Sequence, residues 1–406
     1  MTWPSYSVAE LTGADVLRVE DGNHGEYRPR PDEFAASGTA FIRAADLDGG
    51  AVRFESAESI TATARARIRK GIGQPRDVLL SHKGTVGKVA LAPADAPPFV
   101  CSPQTTFWRS VDEGRLLPQF LFCYLRSPAF QGQLASAAGS TDMAPYVSLT
   151  QQRELRVELP PLSTQRAIAE VLGALDDKIA ANSTTCAVAE RLAEALYYRV
   201  TAGATRVQSS KLLVPVLGGT PDRAEATYWS GEIPWVSAKD ITSAPSGVVL
   251  DTSESISDRG VANSRAKPVP AGSVILTARG TVGVVARLGV SGTFNQSCYA
   301  FVPTQILPAS YLYFMVKDAA REALSVAHGS VFSTITMRSF DALSVPDLRQ
   351  GAIEGLEADL SPLLSFVTAH EIESRHLAEL RDTLLPHLMS GRITVREAET
   401  AVEGVL

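Results

Sequence analysis

The sequence predicts an α+β protein with an internal pseudo-two-fold repeat: two similar mixed α/β domains separated by two long helices that form an antiparallel coiled coil. Three observations predict this. A strand-turn-strand pattern occurs twice, the same series of shorter patterns follows each copy, and a long helical segment closes each series. The domains are expected at 1–159 and 206–345, with the spacer helices at 160–205 and 346–406, the last including a tail.

The repeated hairpin comes first. Asp77-Val78-Leu79-Leu80-Ser81-His82-Lys83-Gly84-Thr85-Val86-Gly87 returns as Gly272-Ser273-Val274-Ile275-Leu276-Thr277-Ala278-Arg279-Gly280-Thr281-Val282-Gly283, and each copy runs into a β-branched stretch. Ser102-Pro103-Gln104-Thr105-Thr106-Phe107 then answers Phe294-Asn295-Gln296-Ser297-Cys298-Tyr299. Phe120–Leu125 answers Tyr311–Val316, Gly139-Ser140 answers Gly329-Ser330, and Val157-Glu158-Leu159-Pro160 answers Ser344-Val345-Pro346. The spacing between copies shrinks gradually, as small loop deletions would make it.

The helices come next. Leu172, Leu175, Ile179, Asn182, Cys186, Ala189, Ala193, Leu196 and Val200 alternate steps of four and three, the seam of a coiled coil on a helix from about Thr164 to Val200. Such a helix would be about 55 Å long. Leu363, Val367, His370, Leu377, Leu380 and Leu384 offer a partner seam that Pro386 ends. Asn182 and His370 would be polar seam residues, which cost stability but fix register. An amphipathic helix lying on a globular core is the alternative that periodicity alone leaves open.

Composition narrows the function. A chain of 406 residues with 45% apolar content has enough material for more than one core. The net charge of −6 argues against nucleic acid on its face, yet Arg65, Arg67, Arg69, Lys70, Arg76, Lys83 and Lys88 cluster around the single acid Asp77. Cys101, Cys123, Cys186 and Cys298 are scattered, without zinc or disulfide spacing, which fits a reducing cytoplasm. Neither a leader pattern at Met1–Glu10 nor a run approaching about 20 apolar residues is present, so no membrane partner is expected.

Catalytic motifs fail on inspection. Gly84-Thr85-Val86-Gly87-Lys88 lacks both the earlier glycine and the hydroxyl of a phosphate loop, since His82 and Val89 stand in those places. Asp142-Met143-Ala144-Pro145-Tyr146 has Met and Ala where a methyltransferase loop needs a polar acceptor and a proline. Asp176-Asp177-Lys178 sits in mid-helix beside seam residues and reads as a solvated charged face.

Four stretches carry a family resemblance. Pro160–Ala169 with Leu175-Asp176-Asp177-Lys178-Ile179, and Leu380–Ile393, are similar to the helical regions of Type I restriction-modification specificity subunits. Gly218-Gly219-Thr220-Pro221 with Tyr228–Ile241, and Asp21–Glu26 with Gly38–Ala44, resemble openings of target-recognition domains of that family. The resemblance covers nearly the whole chain. It implies a non-catalytic subunit in which each domain reads half of a split double-stranded DNA target and the paired helices set the gap. Methyltransferase subunits would dock on those helices, and a motor-nuclease restriction subunit would join for cleavage. No cofactor is expected in this chain, because methyl donor, ATP and magnesium would belong to the partners. The second helix begins Pro346-Asp347-Leu348-Arg349-Gln350-Gly351, short of the fuller proline-rich version, which puts symmetric docking in doubt.

Base reading needs donors and acceptors at base edges, whereas phosphate contacts only position. The glycine turns bring backbone close to a ligand, so His82, Lys83 and Lys88 in the first domain and Thr277 and Arg279 in the second are the foremost DNA-binding candidates. Arg43 in the first domain, and Trp235 and Lys239 in the second, are weaker candidates. Gln104, Asn295 and Gln296 have amide chemistry for adenine or could cap turns, and Trp235 is expected in a core. His24, in a glycine-rich loop, either reaches a base or stabilises its turn. A structural hairpin with ordinary solvated cations is the bland alternative. The same plan would serve another phage-defence methylation system, and a scaffold without DNA contact stays open. The domains differ at nearly every candidate position, so the half-sites should differ, about one DNA turn or ~34 Å apart.

Overall fold

Two domains of one topology alternate with two forty-residue helices, in a computed structural model that describes residues 3–139, 145–327 and 334–404. The chain forms two compact units, one from the residues up to Asp177 together with those from Leu377 onward, the other from Lys178–His376. Ser140, Asp142-Met143-Ala144 and Gly329-Ser330 lie outside the described residues.

In the first domain, β1 (Leu17–Asp21), β2 (Leu47–Asp48), β3 (Ala51–Val52), β4 (Val78–Ser81), β5 (Val89–Leu91) and β6 (Thr105–Ser110) form one sheet in the order β1-β6-β4-β5-β3-β2. In the second, β7 (Val216–Leu217), β8 (Val248–Val249), β9 (Val274–Thr277), β10 (Val285–Leu288) and β11 (Cys298–Phe301) repeat all of it but the edge strand β2, as β7-β11-β9-β10-β8. Even the single parallel pairing recurs, β3 with β5 and β8 with β10. Every residue of β4 and β9 is buried, which is why both read as unbroken apolar runs rather than alternating ones.

A smaller sheet also recurs. Thr39–Ile42 pairs parallel with Phe99–Cys101 and antiparallel with Ser59–Ile60, as Ile233–Val236 pairs with Thr293–Phe294 and Ser255–Ile256. Each domain is closed by an antiparallel pair joining its two ends, Ser5–Ser7 with Arg156–Glu158 and Thr205–Gln208 with Ser344–Asp347. Pro346 therefore lies in a strand, and the second long helix starts only at Gln350.

The first long helix spans Leu162–Thr201 and the second Gln350–Met389. They pack together antiparallel: within the second unit Asn182 meets Glu373 and Ser374, Cys186 meets Val367, and Ala193 and Tyr197 share a core with Leu360, Leu356 and Ile353. The first seam follows its predicted positions through Ala193, then moves to Tyr197, which is buried while Val200 is exposed. The cause is local: Tyr197 stacks on Phe314 at 5.6 Å in the aromatic core of the second domain.

The second helix corrects three expectations. It runs through Pro386, where burial of Leu384, Leu385, Leu388 and Met389 outweighs the roughly 3 kcal/mol that a proline costs. Leu364 rather than Leu363 is its buried seam residue. His370 lies off the seam against Phe366, and the polar partners of Asn182 are the Glu373 carboxylate (2.8 Å) and the Ser374 hydroxyl (3.1 Å). No helix among the described residues is long and apolar enough to cross a membrane.

Asp176 is not a solvated charge. In the first unit its two oxygens accept from Arg126 at 2.6 Å and Arg381 at 2.7 Å, tying a helix of the domain to both long helices.

Candidate nucleic-acid interface

The two hairpins are the same object in backbone terms. Ser81 and Thr277 each receive the amide of a glycine in left-handed conformation, Gly87 (φ 101°) or Gly283 (φ 89°), at 2.9 Å. Their hydroxyls accept from Lys88 N at 2.8 Å and Val284 N at 3.0 Å, so the loop closes on itself. Gly84 and Gly280, at φ 79° and 74°, sit at the tips, where side chains at these angles would be strained. Next to each tip, Lys83 and Arg279 are exposed.

Neighbouring segments brace both hairpins alike. His82 N donates to Gln104 O and Val147 N to His82 O, both at 2.9 Å; Ala278 N donates to Ser297 O at 2.8 Å and Ile335 N to Ala278 O at 2.9 Å. Strand register refines the repeat by one residue, because Thr105 faces Ser81 as Cys298 faces Thr277. Gln104 thus corresponds to Ser297, and Gln296 corresponds to Pro103.

Three expected readers are buried. His82 is 1% exposed with Nδ1 on Val147 O at 2.9 Å, His24 is 6% exposed with Nε2 on Cys101 O at 2.9 Å, and Thr277 is fully buried in its loop bond. Burial pulls both imidazoles below their ordinary range, favouring the neutral form. These three shape the loops from beneath. Of the others, Lys83, Gln104, Lys239, Arg279 and Gln296 are exposed, and Lys88 and Arg43 are half-buried. Lys83 holds its ammonium 5.8 Å from the Tyr146 ring, and Arg43 is engaged by Glu58. Trp235 is buried as expected, its indole donating to Gly219 O at 2.9 Å, and Asn295 caps a turn by accepting from Ser297 N at 3.0 Å.

Sequence reasoning missed Arg265 and Lys267. With Arg279, Gln296 and Thr220 they line a groove of about 790 Å³ floored by Gly218 and Gly219. A signal existed: they follow the short helix Asp258–Ala262 as exposed Arg69 and Lys70 follow Ala62–Arg67 in the first domain. Among the described residues no group of His, Cys, Asp and Glu is arranged to hold a metal.

The same domain is thus built twice, each copy followed by a long helix, with one backbone and two sets of exposed side chains. The family model described as Type I restriction modification DNA specificity domain matches residues 14–191 and 213–347. Similarity extends to the Type I restriction enzyme MjaIX specificity subunit of Methanocaldococcus jannaschii, 25% identical over 131 residues, 32% of this chain and 30% of that one. The Type I restriction enzyme HindI specificity subunit of Haemophilus influenzae is 20% identical over 181 residues, 44% of this chain and 39% of that one. The matched stretches thus span well under half of each relative. In fold, the chain is similar to the Type I restriction-modification system S subunit from M. genitalium, with TM-score 0.56, 13% identity and 96% of both chains covered. The chain belongs to the family of the Type I restriction modification DNA specificity domain.

Proposed function

We propose that this chain gives a Type I restriction-modification enzyme its DNA target, each domain reading one half of an asymmetric split sequence. Lys83, Lys88 and Gln104 serve the first half, and Arg279, Lys239 and Gln296 the second, while Arg43 stays with Glu58 and His24, His82 and Thr277 hold the loops in shape. The paired helices carry methyltransferase subunits, and a motor-nuclease restriction subunit completes the assembly; methyl donor, ATP and magnesium are bound by those partners in the cytoplasm. The net charge of −6 is compatible, because the stretch from Thr61 to Ala90 carries seven cations and one acid and partners add basic surface.

One observation carries this reading: two hairpins with matching backbone bonds present Lys83 in one domain and Arg279 in the other. A shared scaffold with different exposed donors is what two half-sites of different sequence require. The test is to co-express the chain with the methyltransferase subunit and map modified adenines across the host genome by single-molecule sequencing. A split asymmetric motif that disappears without this chain is the expected result. Unchanged methylation, with both proteins folded and bound, would sink the proposal.

A further inference from the structure

The groove of the second domain offers one kind of chemistry. Arg265, Lys267 and Arg279 line it, all three exposed and none in an ion pair among the described residues, and no carboxylate lines it with them. Its remaining long polar side chain is Gln296, whose Oε1 accepts from the Thr220 hydroxyl. That bond occupies one lone pair of the oxygen and leaves the NH₂ without a hydrogen bond among the described residues.

Reading adenine in the major groove takes one donor and one acceptor on the same amide, whereas guanine presents two acceptors, N7 and O6. A glutamine whose oxygen is engaged by Thr220 and an unpaired arginine on a rigid hairpin present donors foremost. We propose that this groove seats one strand of the DNA half-site, with Arg279 donating to a guanine, Gln296 donating to an adjacent acceptor edge, and Arg265 and Lys267 on phosphates.

The floor supports close approach. A Cβ on Gly218 would lie 2.2 Å from Asn295 O and one on Gly219 2.3 Å from the Arg265 carbonyl carbon, so the loops are already in backbone contact and the groove is preformed. The first domain has no such set. Pro103 stands where the second has Gln296, buried His24 where it has Thr220, and Lys83 where it has Arg279. Lysine is a point donor without the planar fork of arginine, so the forked contact with guanine is assigned to the second domain.

This inference rests on the function proposed above, and the assembled complex tests it. In the wild-type motif, one half contains a guanine whose identity depends on Arg279. Arg279→Ala is expected to relax that one position by roughly 10- to 100-fold while leaving the other half intact. Arg279→Lys should not restore it, and Thr220→Val, by freeing the Gln296 oxygen, should admit adenine at a neighbouring position. Lys267→Ala should keep the motif, weaken binding to every sequence and lower the salt slope by about one. An unchanged motif from Arg279→Ala in an intact complex, or relaxation at an A·T pair instead, overturns the inference. A wild-type complex that yields no split motif ends the functional reading itself, which is a distinguishable result.

Discussion

The two recognition domains agree where backbone must be built and differ where a ligand could be touched. Gly22 and Gly218 occupy one position, Ser81 and Thr277 another, and Gly87 and Gly283 a third, each with the same hydrogen bonds or close contacts. At the surface the pairs diverge: Lys83 against Arg279, Gln104 against Ser297, Pro103 against Gln296. The repeat therefore keeps geometry and varies chemistry, and substitutions at the two kinds of position should act differently.

The largest effects should be symmetric. A Cβ on Gly22 would lie 2.0 Å from Cys101 O, and one on Gly218 2.2 Å from Asn295 O, both rigid backbone atoms. Gly22→Ala and Gly218→Ala should each destabilise their own domain by on the order of 5 kcal/mol, seen as loss of amide-exchange protection in β4 or β9 respectively. A domain that tolerates its substitution would show that the two floors are not equivalent.

A somewhat smaller effect should be one-sided. Asp77, with its side chain fully buried, accepts from Arg109 at 2.7 Å through both oxygens, whereas the register places Ser273 and Val302 at these positions in the second domain. Arg109→Ala should cost about 3 kcal/mol in urea unfolding, because it strands a buried carboxylate. Asp77→Ser with Arg109→Val, which installs the second domain's solution, should recover most of that loss. If the double variant is as unstable as the single one, the pair does more than neutralise itself.

Acidification should separate the domains again. Burial depresses the pKa of His24 and His82 in the folded chain, so below the ordinary imidazole value of about 6.5 the unfolded state takes up protons that the folded state refuses. Stability contributed by neutral imidazole is present above that pH and lost as pH falls. The second domain has Thr220 and Ala278 at these sites, so protection of β4 should decline between pH 7 and 5 more than that of β9. Equal decline in the two strands would remove the histidines as the cause.

What the sequence made legible follows the same division. The repeat, the paired helices and the hairpins were readable because apolar runs and glycine turns have fixed local causes. Register was readable only to within a residue at Ser102 and Asn295, since only the facing strand decides which residue opposes Ser81 or Thr277. Side-chain exposure was least readable. His82 is adjacent to exposed Lys83, yet it points beneath the loop to Val147 O, and no local pattern encodes that. Helix ends behaved likewise: Pro386 stops a helix in isolation but not one whose next turn buries Leu388 and Met389.

The smallest expected effect concerns Arg43, which separates a paired cation from a free one. Its guanidinium is bound by Glu58 and lies 5.6 and 5.8 Å from the Phe34 and Phe41 rings, and its backbone N–H donates to Asp46 as Ser237 N–H donates to Asp240. The cap is shared; the cation is particular to the first domain. Because the ion pair is partly exposed, Arg43→Ala should change stability by only about 0.5 kcal/mol. A cation that already holds a carboxylate displaces few counterions, so this variant should leave the salt slope of DNA binding unchanged, whereas Lys83→Ala should lower it by about one. A drop of about one for Arg43→Ala would mean that DNA takes Arg43 away from Glu58, and that the first domain reaches phosphate with a residue that the second has reduced to a cap.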